Sequence, residues 1–349
     1  MSRKEFSHRK QESETMKSNQ RVAGSVKRPA ISPGLLGYIM KIFQNITIEP
    51  AYFLISFASG IDDVSASQML IYKTCRADFG FNETVCDDEN LLTIYKDENE
   101  MIQNEVAQFN VYRMLVGTIF PVFFAFYLGA WCDLFGRKLL FKLYLTARCL
   151  DQVVVILCAY FLESKKEFLL LASIPTALAG GFGAWMLAIN AFVADITSSE
   201  YLAFRYGMIH LAGSLARPIA PIFGAYLLKT GGYVCVFTTS LAGTLLGSLL
   251  LLVMIRSYEW NPEKKATDRS AFSLQHPIDC FRTTFKKREG PNRKYILMFI
   301  AIISLTVMPF AGEGSVAYNY VRTRYEWGYQ EYSEYSSIVS ACSIIGKFD

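Results

Sequence analysis

The feature that most constrains this chain is a succession of apolar stretches, each about 20 residues or longer and separated by short polar segments, the pattern of helices that cross a bilayer. Seven run at about 49–72, 107–131, 139–162, 168–194, 204–228, 233–255 and 295–317, and an incomplete eighth opens near 336. Hydrocarbon offers backbone N–H and C=O groups no partner, so each stretch must satisfy its own hydrogen bonds as a helix; barrel-like alternation is missing. The expected class is an all-α polytopic membrane protein. Such spans exclude a soluble enzyme, and no nucleophile–base constellation or catalytic residue is expected.

The formal charge of +4 matters less than its segregation. Nine bases precede the first span: Arg3, Lys4, Arg9, Lys10, Lys17, Arg21, Lys27, Arg28 and Lys41. The next loop is acidic, with Asp78, Glu83, Asp87, Asp88, Glu89, Asp97, Glu98, Glu100 and Glu105 against Lys73, Arg76 and Lys96. Basic loops are retained on the cytoplasmic side, which puts the N-terminus inside and the acidic loop outside. Six crossings later the loop from Arg256 to Lys294 is basic again, in agreement with that count. Its run Lys286, Lys287, Arg288 suits anionic lipid or nucleic acid, but positive-inside placement explains it without either, and no nucleic-acid partner is expected.

Of eight cysteines, only Cys75 and Cys86 fall in the outer loop, where a local disulfide can persist; the others lie in spans or on the reducing side. No paired-cysteine or histidine cluster suggests a metal site, and no cofactor is expected. Asn82-Glu83-Thr84 is a glycosylation sequon on the same outer loop, with Asn82 as acceptor.

Charges inside spans are costly in lipid and mark candidate pathways for solute or protons. Asp62 and Asp63 stand near the middle of the first span; if that helix ended early they would instead be interfacial. Arg148 and Asp151 are three residues apart, on one helix face, and can pair within the third span. His210, in the fifth, titrates near neutral pH or is a satisfied core histidine. Arg217, midway along the same span, needs a carboxylate, carbonyls or an anionic solute, and Pro218 and Pro221 loosen the helix beside it. Glu313 lies among glycines in the seventh span, a candidate proton site or an acid at the outer end facing water.

Between the second and third spans the chain reads GAWCDLFGRK, Gly129 to Lys138. Gly129 would let a neighbouring helix approach closely. Asp133 offers an acceptor to a helix N-terminus or an arginine, and Gly136 accepts positive φ where the chain reverses. Arg137 and Lys138 hold the cytoplasmic side. This segment resembles the loop signature G-x-x-x-D-x-x-G-R-[KR] of the major facilitator superfamily, matching at all five defined positions. The resemblance implies that the loop latches the two halves of a transporter in one state of its access cycle.

The segment ADITSSEYLAFR, with Asp195 ending the fourth span and Arg205 opening the fifth, is similar to the corresponding loop of solute carrier family 46, the proton-coupled folate transporter-like group. Glu49-Pro50, the run Leu70 to Cys75, Gly80 to Cys86 and Arg324 to Trp327 add to that likeness. It implies a major facilitator fold with a tail at 1–44, six N-terminal helices in 45–257, a cytoplasmic linker at 258–293, and at 294–349 one complete and one partial helix of the second half. The folate-transporting member carries an acid where His210 stands and a histidine where Glu313 stands, so its substrate is not carried across.

The function implied is alternating-access transport of a small organic, anionic solute, with the bilayer and protons as further partners, in the plasma or lysosomal membrane. Two alternatives stand beside it. One is a seven-helix channel or receptor, which leaves GAWCDLFGRK unexplained and, for a receptor, conflicts with the basic N-terminus. The other is a truncated, non-transporting regulatory or inactive form, because the sequence stops inside the eighth expected span.

Overall fold

The computed structural model describes residues 47–86, 94–256, 275–286 and 292–345. The expected tail lies outside them, as does most of the first part of the linker. Among the described residues the structure is all helix, with no strand. The helices are α1 (Glu49–Lys73), continued by a π-helical turn (Thr74–Asp78), α2 (Glu83–Cys86), α3 (Lys96–Phe135), α4 (Arg137–Tyr160), α5 (Phe168–Leu178), α6 (Gly181–Ile196), α7 (Leu202–Ala216), α8 (Ala220–Met254), α9 (Gln275–Phe285), α10 (Asn292–Tyr325) and α11 (Tyr329–Ile345).

Among the described residues, four stretches are long and apolar enough to cross a membrane: Lys96–Gly129, Arg137–Tyr160, Phe168–Ile196 and Leu202–Met254. The last, of 53 residues, has room for the fifth and sixth expected spans. It divides in two places. Pro218 leaves a turn between α7 and α8, and Gly232, at φ 70° and ψ −175°, interrupts α8 so that its second limb returns along α1. α1 falls outside this set because Asp62 and Asp63 dilute its apolar run, yet it is helical throughout and sits at the centre of the bundle. The expectation that its helix might end at those acids is thereby corrected: both lie within α1.

Both limbs of α8 press on α1. A Cβ on Gly224 would stand 2.6 Å from the Ile61 carbonyl oxygen, and one on Gly247 2.7 Å from Ile55 Cγ1, so the two backbones approach as only glycine permits. Gly129 does not serve this purpose: a Cβ there would meet nothing within 4 Å, because the neighbouring helices pass elsewhere. Gly180, at φ 88°, breaks the fourth expected span into α5 and α6, and its missing side chain leaves room for Leu128 of α3.

α3 starts eleven residues before the expected second span, at Lys96. Asp97 and Glu98 in its first turn favour the positive end of the helix dipole, and Ile102, Val106 and Phe109 bury this polar extension against the bundle. Within the stretch expected as linker lies a helix, α9.

Two apolar clusters flank the middle of the bundle. One, at the end carrying Gly136–Lys138 (the motif end), gathers Ile55, Phe141, Trp185, Phe192 and Leu251. The other, at the end carrying the disulfide, gathers Met69, Ile71, Ile102, Phe109 and Phe237. Between them lie the charged residues of α1 and α4.

Candidate functional site

The centre of the site is Asp62. Its carboxylate accepts from Arg148 Nη2 at 3.0 and 3.2 Å, from Gln152 Nε2 at 3.3 Å and from Ser240 Oγ at 3.0 Å. Gln152 Nε2 also reaches Ser240 Oγ at 2.8 Å. Arg148 and Gln152 are one helical turn apart on α4, so both meet α1 on the same face, while the second limb of α8 supplies Ser240. A buried carboxylate with three different donors is an anchored charge, held where desolvation would otherwise make it very costly.

Arg148 therefore does not pair with Asp151 as their spacing suggested. Asp151 turns away and accepts the Thr176 backbone N–H at 3.2 Å. Pro175, the residue before, has no N–H of its own and disturbs the helix ladder at this point. Asp62 thus ties α1 to α4, and Asp151 ties α5 to it.

Asp63, next along α1, is exposed, as is Arg113 on α3. The charges of Arg113, Arg148 and Arg217 all reach Asp63, and those of Asp63 and Glu313 both reach Tyr332 on α11. Arg217 and Glu313 are themselves exposed. Five elements, α1, α3, the α7–α8 turn, α10 and α11, thus contribute to one electrostatic neighbourhood beside the anchored Asp62. His210 is exposed on α7, which corrects the reading of a satisfied core histidine.

At the motif end, Gly136 has φ 81° and joins α3 to α4 in one residue. Arg137 Nε lies 3.0 Å from Asp195 Oδ2 at the end of α6, and Lys138 Nζ donates to the Arg256 carbonyl at 3.2 Å, just past α8. The side chain of Asp133 lies outside the described residues. Arg205 pairs with Glu49 at 3.2 Å and donates to Thr47 Oγ1 at 2.7 Å, tying α7 to the start of α1.

At the other end Cys75 and Cys86 are disulfide-bonded, with Cα atoms 5.7 Å apart, and Asn82 is exposed between them. Lys73 is fully buried and donates to the carbonyls of Phe161 (2.7 Å), Leu162 and Ser164 (each 3.3 Å) and to Ser164 Oγ (2.9 Å), satisfying carbonyls beyond the end of α4. Lys166 bridges Asp78 at 2.8 Å and Glu105 at 2.6 Å. Burial opposes its charge, but the two carboxylates outweigh burial and hold its proton more tightly than a free lysine would. Here α10 and α11 also close against α1: Tyr318 donates to Gln68 Oε1 at 2.7 Å, and Tyr329 OH lies 2.8 Å from Ser65 Oγ. A cavity of about 660 Å³ opens outside this contact, with Gln68, Tyr72, Tyr226, Lys229 and Tyr329 in its wall.

Several of these residues escaped sequence reading. Gln152 was detectable, four residues after Arg148 in an apolar span. Arg113 lies inside the second expected span without standing in a recognisable motif, and α3, which begins at Lys96, carries it near mid-helix. Ser240, Ser65 and Gln68 carry no sequence signal, since small polar residues are common in packed membrane helices.

The family model described as the Major Facilitator Superfamily matches residues 51–348. The chain is 25% identical over 307 residues to the probable peptidoglycan muropeptide transporter SLC46 of Drosophila melanogaster, covering 83% of this chain and 58% of that protein. It is also 26% identical over 270 residues to the proton-coupled folate transporter of Bos taurus and 28% identical over 274 residues to that of Rattus norvegicus. Each alignment covers 76% of this chain, and they cover 56% and 57% of those two proteins. The chain therefore spans somewhat over half the length of these relatives.

Proposed function

The chain belongs to the Major Facilitator Superfamily, and from that membership we propose that it serves in alternating-access transport of a small organic anion coupled to protons. The motif end would be cytoplasmic, and the division at 45–257, 258–293 and 294–349 would be half, linker and second half. Membership of a transporter superfamily disfavours the channel and receptor alternatives.

The observation that carries the proposal is the contrast between Asp62 and Asp63. Asp62 is saturated with donors and would serve as a fixed strut. Asp63 is exposed beside the positive field of Arg113 and Arg217. With Asp63 ionised, those guanidinium groups are partly neutralised; with it protonated, they can receive a solute anion. Proton and anion would then bind together, which is the thermodynamic requirement for coupling their movement. Glu313, whose charge also reaches Tyr332, belongs to the same neighbourhood.

The Arg137–Asp195 and Arg205–Glu49 pairs would keep the motif end of the first half rigid while it moves as a body. The Tyr318–Gln68 and Tyr329–Ser65 contacts would close the opposite end in the conformation described here.

The test is uptake into proteoliposomes holding the purified chain, with a muropeptide and folate as trial solutes because relatives are named for them. Inward accumulation driven by an acid-outside gradient, lost in Asp63→Asn and Arg217→Ala but kept in Cys280→Ser, is expected. Accumulation of neither solute above protein-free vesicles would count against transport by this chain and favour the non-transporting alternative.

A further inference from the structure

We propose that α9 is an interfacial helix that lies in the bilayer leaflet at the motif end and docks there on anionic lipid headgroups. The inference rests on the membrane assignment of α3 and is independent of whether the chain transports anything.

The helix has the sequence QHPIDCFRTTF. Ile278, Phe281 and Phe285 follow the i, i+3, i+7 spacing and fall within about 60° of one another around the axis at 100° per residue. All three remain open in the structure, 56%, 51% and 52% exposed. Cys280 falls on the other side, about 130° from the middle of the stripe, and is exposed too. Arg282 borders the apolar stripe, with Lys286 one turn beyond it, and both are exposed. Asp279 is the one acid on the described helix, while Arg293 and Lys294 stand at the start of α10 nearby.

Depth gives the second argument. Phe281 stacks on Phe126 of α3, with ring centroids 5.1 Å apart and 30° between planes. Phe126 precedes the turn at Gly136 by ten residues, which is about 15 Å of helix. The apolar stretch of α3 ends at Gly129, three residues or about 4.5 Å past Phe126, so the ring of Phe281 is held just inside the end of an apolar span, at interfacial depth. An amphipathic helix fixed at that depth buries its apolar stripe among acyl chains and extends its flanking bases to the headgroups, the arrangement of interfacial helices. Each base near an anionic leaflet adds to the attraction, which supplies charge complementarity on top of apolar burial.

The experiment compares cysteine reactivity in the full chain reconstituted into phosphatidylcholine vesicles with and without phosphatidylserine, using a charged, water-soluble maleimide and site-resolved mass spectrometry. Native Cys280 is the internal reference. Ile278→Cys and Phe285→Cys are expected to react at least about tenfold more slowly than Cys280 in phosphatidylserine vesicles, and Arg282→Glu with Lys286→Glu to erase most of that difference. Equal reactivity of the stripe and Cys280 would overturn the proposal, since the stripe would face water. Equal protection in phosphatidylserine, in phosphatidylcholine and in detergent would also overturn it, because protein rather than lipid would then cover the face. A near-native circular dichroism spectrum of each variant separates loss of docking from loss of folding.

Discussion

Arg148 of α4 binds both oxygens of Asp62 of α1 through a single nitrogen, at 3.0 and 3.2 Å, instead of pairing with Asp151 three residues away on its own helix. The interhelical choice brings Gln152 and Ser240 onto the same carboxylate and makes the middle of the bundle a cross-braced joint of α1, α4 and α8.

Breaking that joint from one side should be costly. Asp62→Ala leaves Arg148 uncompensated, with a side chain only 21% exposed, and should destabilise the bundle by about 3 kcal/mol. Replacing both partners, Asp62→Leu with Arg148→Met, should recover most of the loss. Thermal unfolding in detergent of the single and double variants measures the coupling, and a purely additive result would show that the pair is not a unit.

The α1–α8 contact should reject any side chain at Gly224. Gly224→Ala places its methyl 2.6 Å from the Ile61 carbonyl oxygen and must push the helices apart, at about 1–3 kcal/mol. Gly129→Ala, where the space is open, should cost less than about 0.5 kcal/mol. Melting temperatures of the two variants should therefore differ clearly; similar values would mean that α1 and α8 adjust freely.

Removing the Cys75–Cys86 disulfide with Cys86→Ser opens a short loop with a sequence separation of 11 residues and should lower stability by about 2–3 kcal/mol. Unchanged unfolding in the presence of a reductant would show that the Lys73 and Lys166 contacts alone hold this end together.

Lys166 gives this end a defined pH dependence. Its proton is held above the ordinary lysine value of 10.5 by Asp78 and Glu105, so its folded pKa exceeds its unfolded one. The stabilisation is complete below the unfolded pKa and is lost as pH rises through the folded pKa. Lys166→Met should therefore narrow the stability difference from wild type as pH is raised above 10.5. A difference that stays constant through the alkaline range would assign the effect to packing.

Opening of the disulfide end should depend on the two tyrosine contacts. Tyr318→Phe and Tyr329→Phe each remove a buried hydrogen bond, worth about 1 kcal/mol, between α10 or α11 and α1. The double variant should make a cysteine introduced at Ser337, buried on α11 two turns beyond Tyr329, react about tenfold faster with an impermeant thiol reagent, at roughly 1.4 kcal/mol per factor of ten. No change would show that apolar packing, not these bonds, keeps the end closed.

The sequence by itself determined the helical class, the positions of the apolar spans and the turn at Gly136–Lys138, because each depends on local composition: hydrocarbon forces helices, and only glycine takes φ 81° without strain. It also singled out Asp62, Arg148, Arg217 and Glu313, since an ionisable group in an apolar run stands out wherever it lies. Only the tertiary structure decided who meets whom. The pairing of Arg148 with Asp62 rather than Asp151, of Arg137 with Asp195, and of Arg205 with Glu49 joins residues 86, 58 and 156 positions apart. Such pairings depend on how helices cross and rotate, which is set by many small contacts such as those at Gly224 and Gly247. Periodicity along the chain fixes which face a residue occupies; it does not fix which helix that face will find.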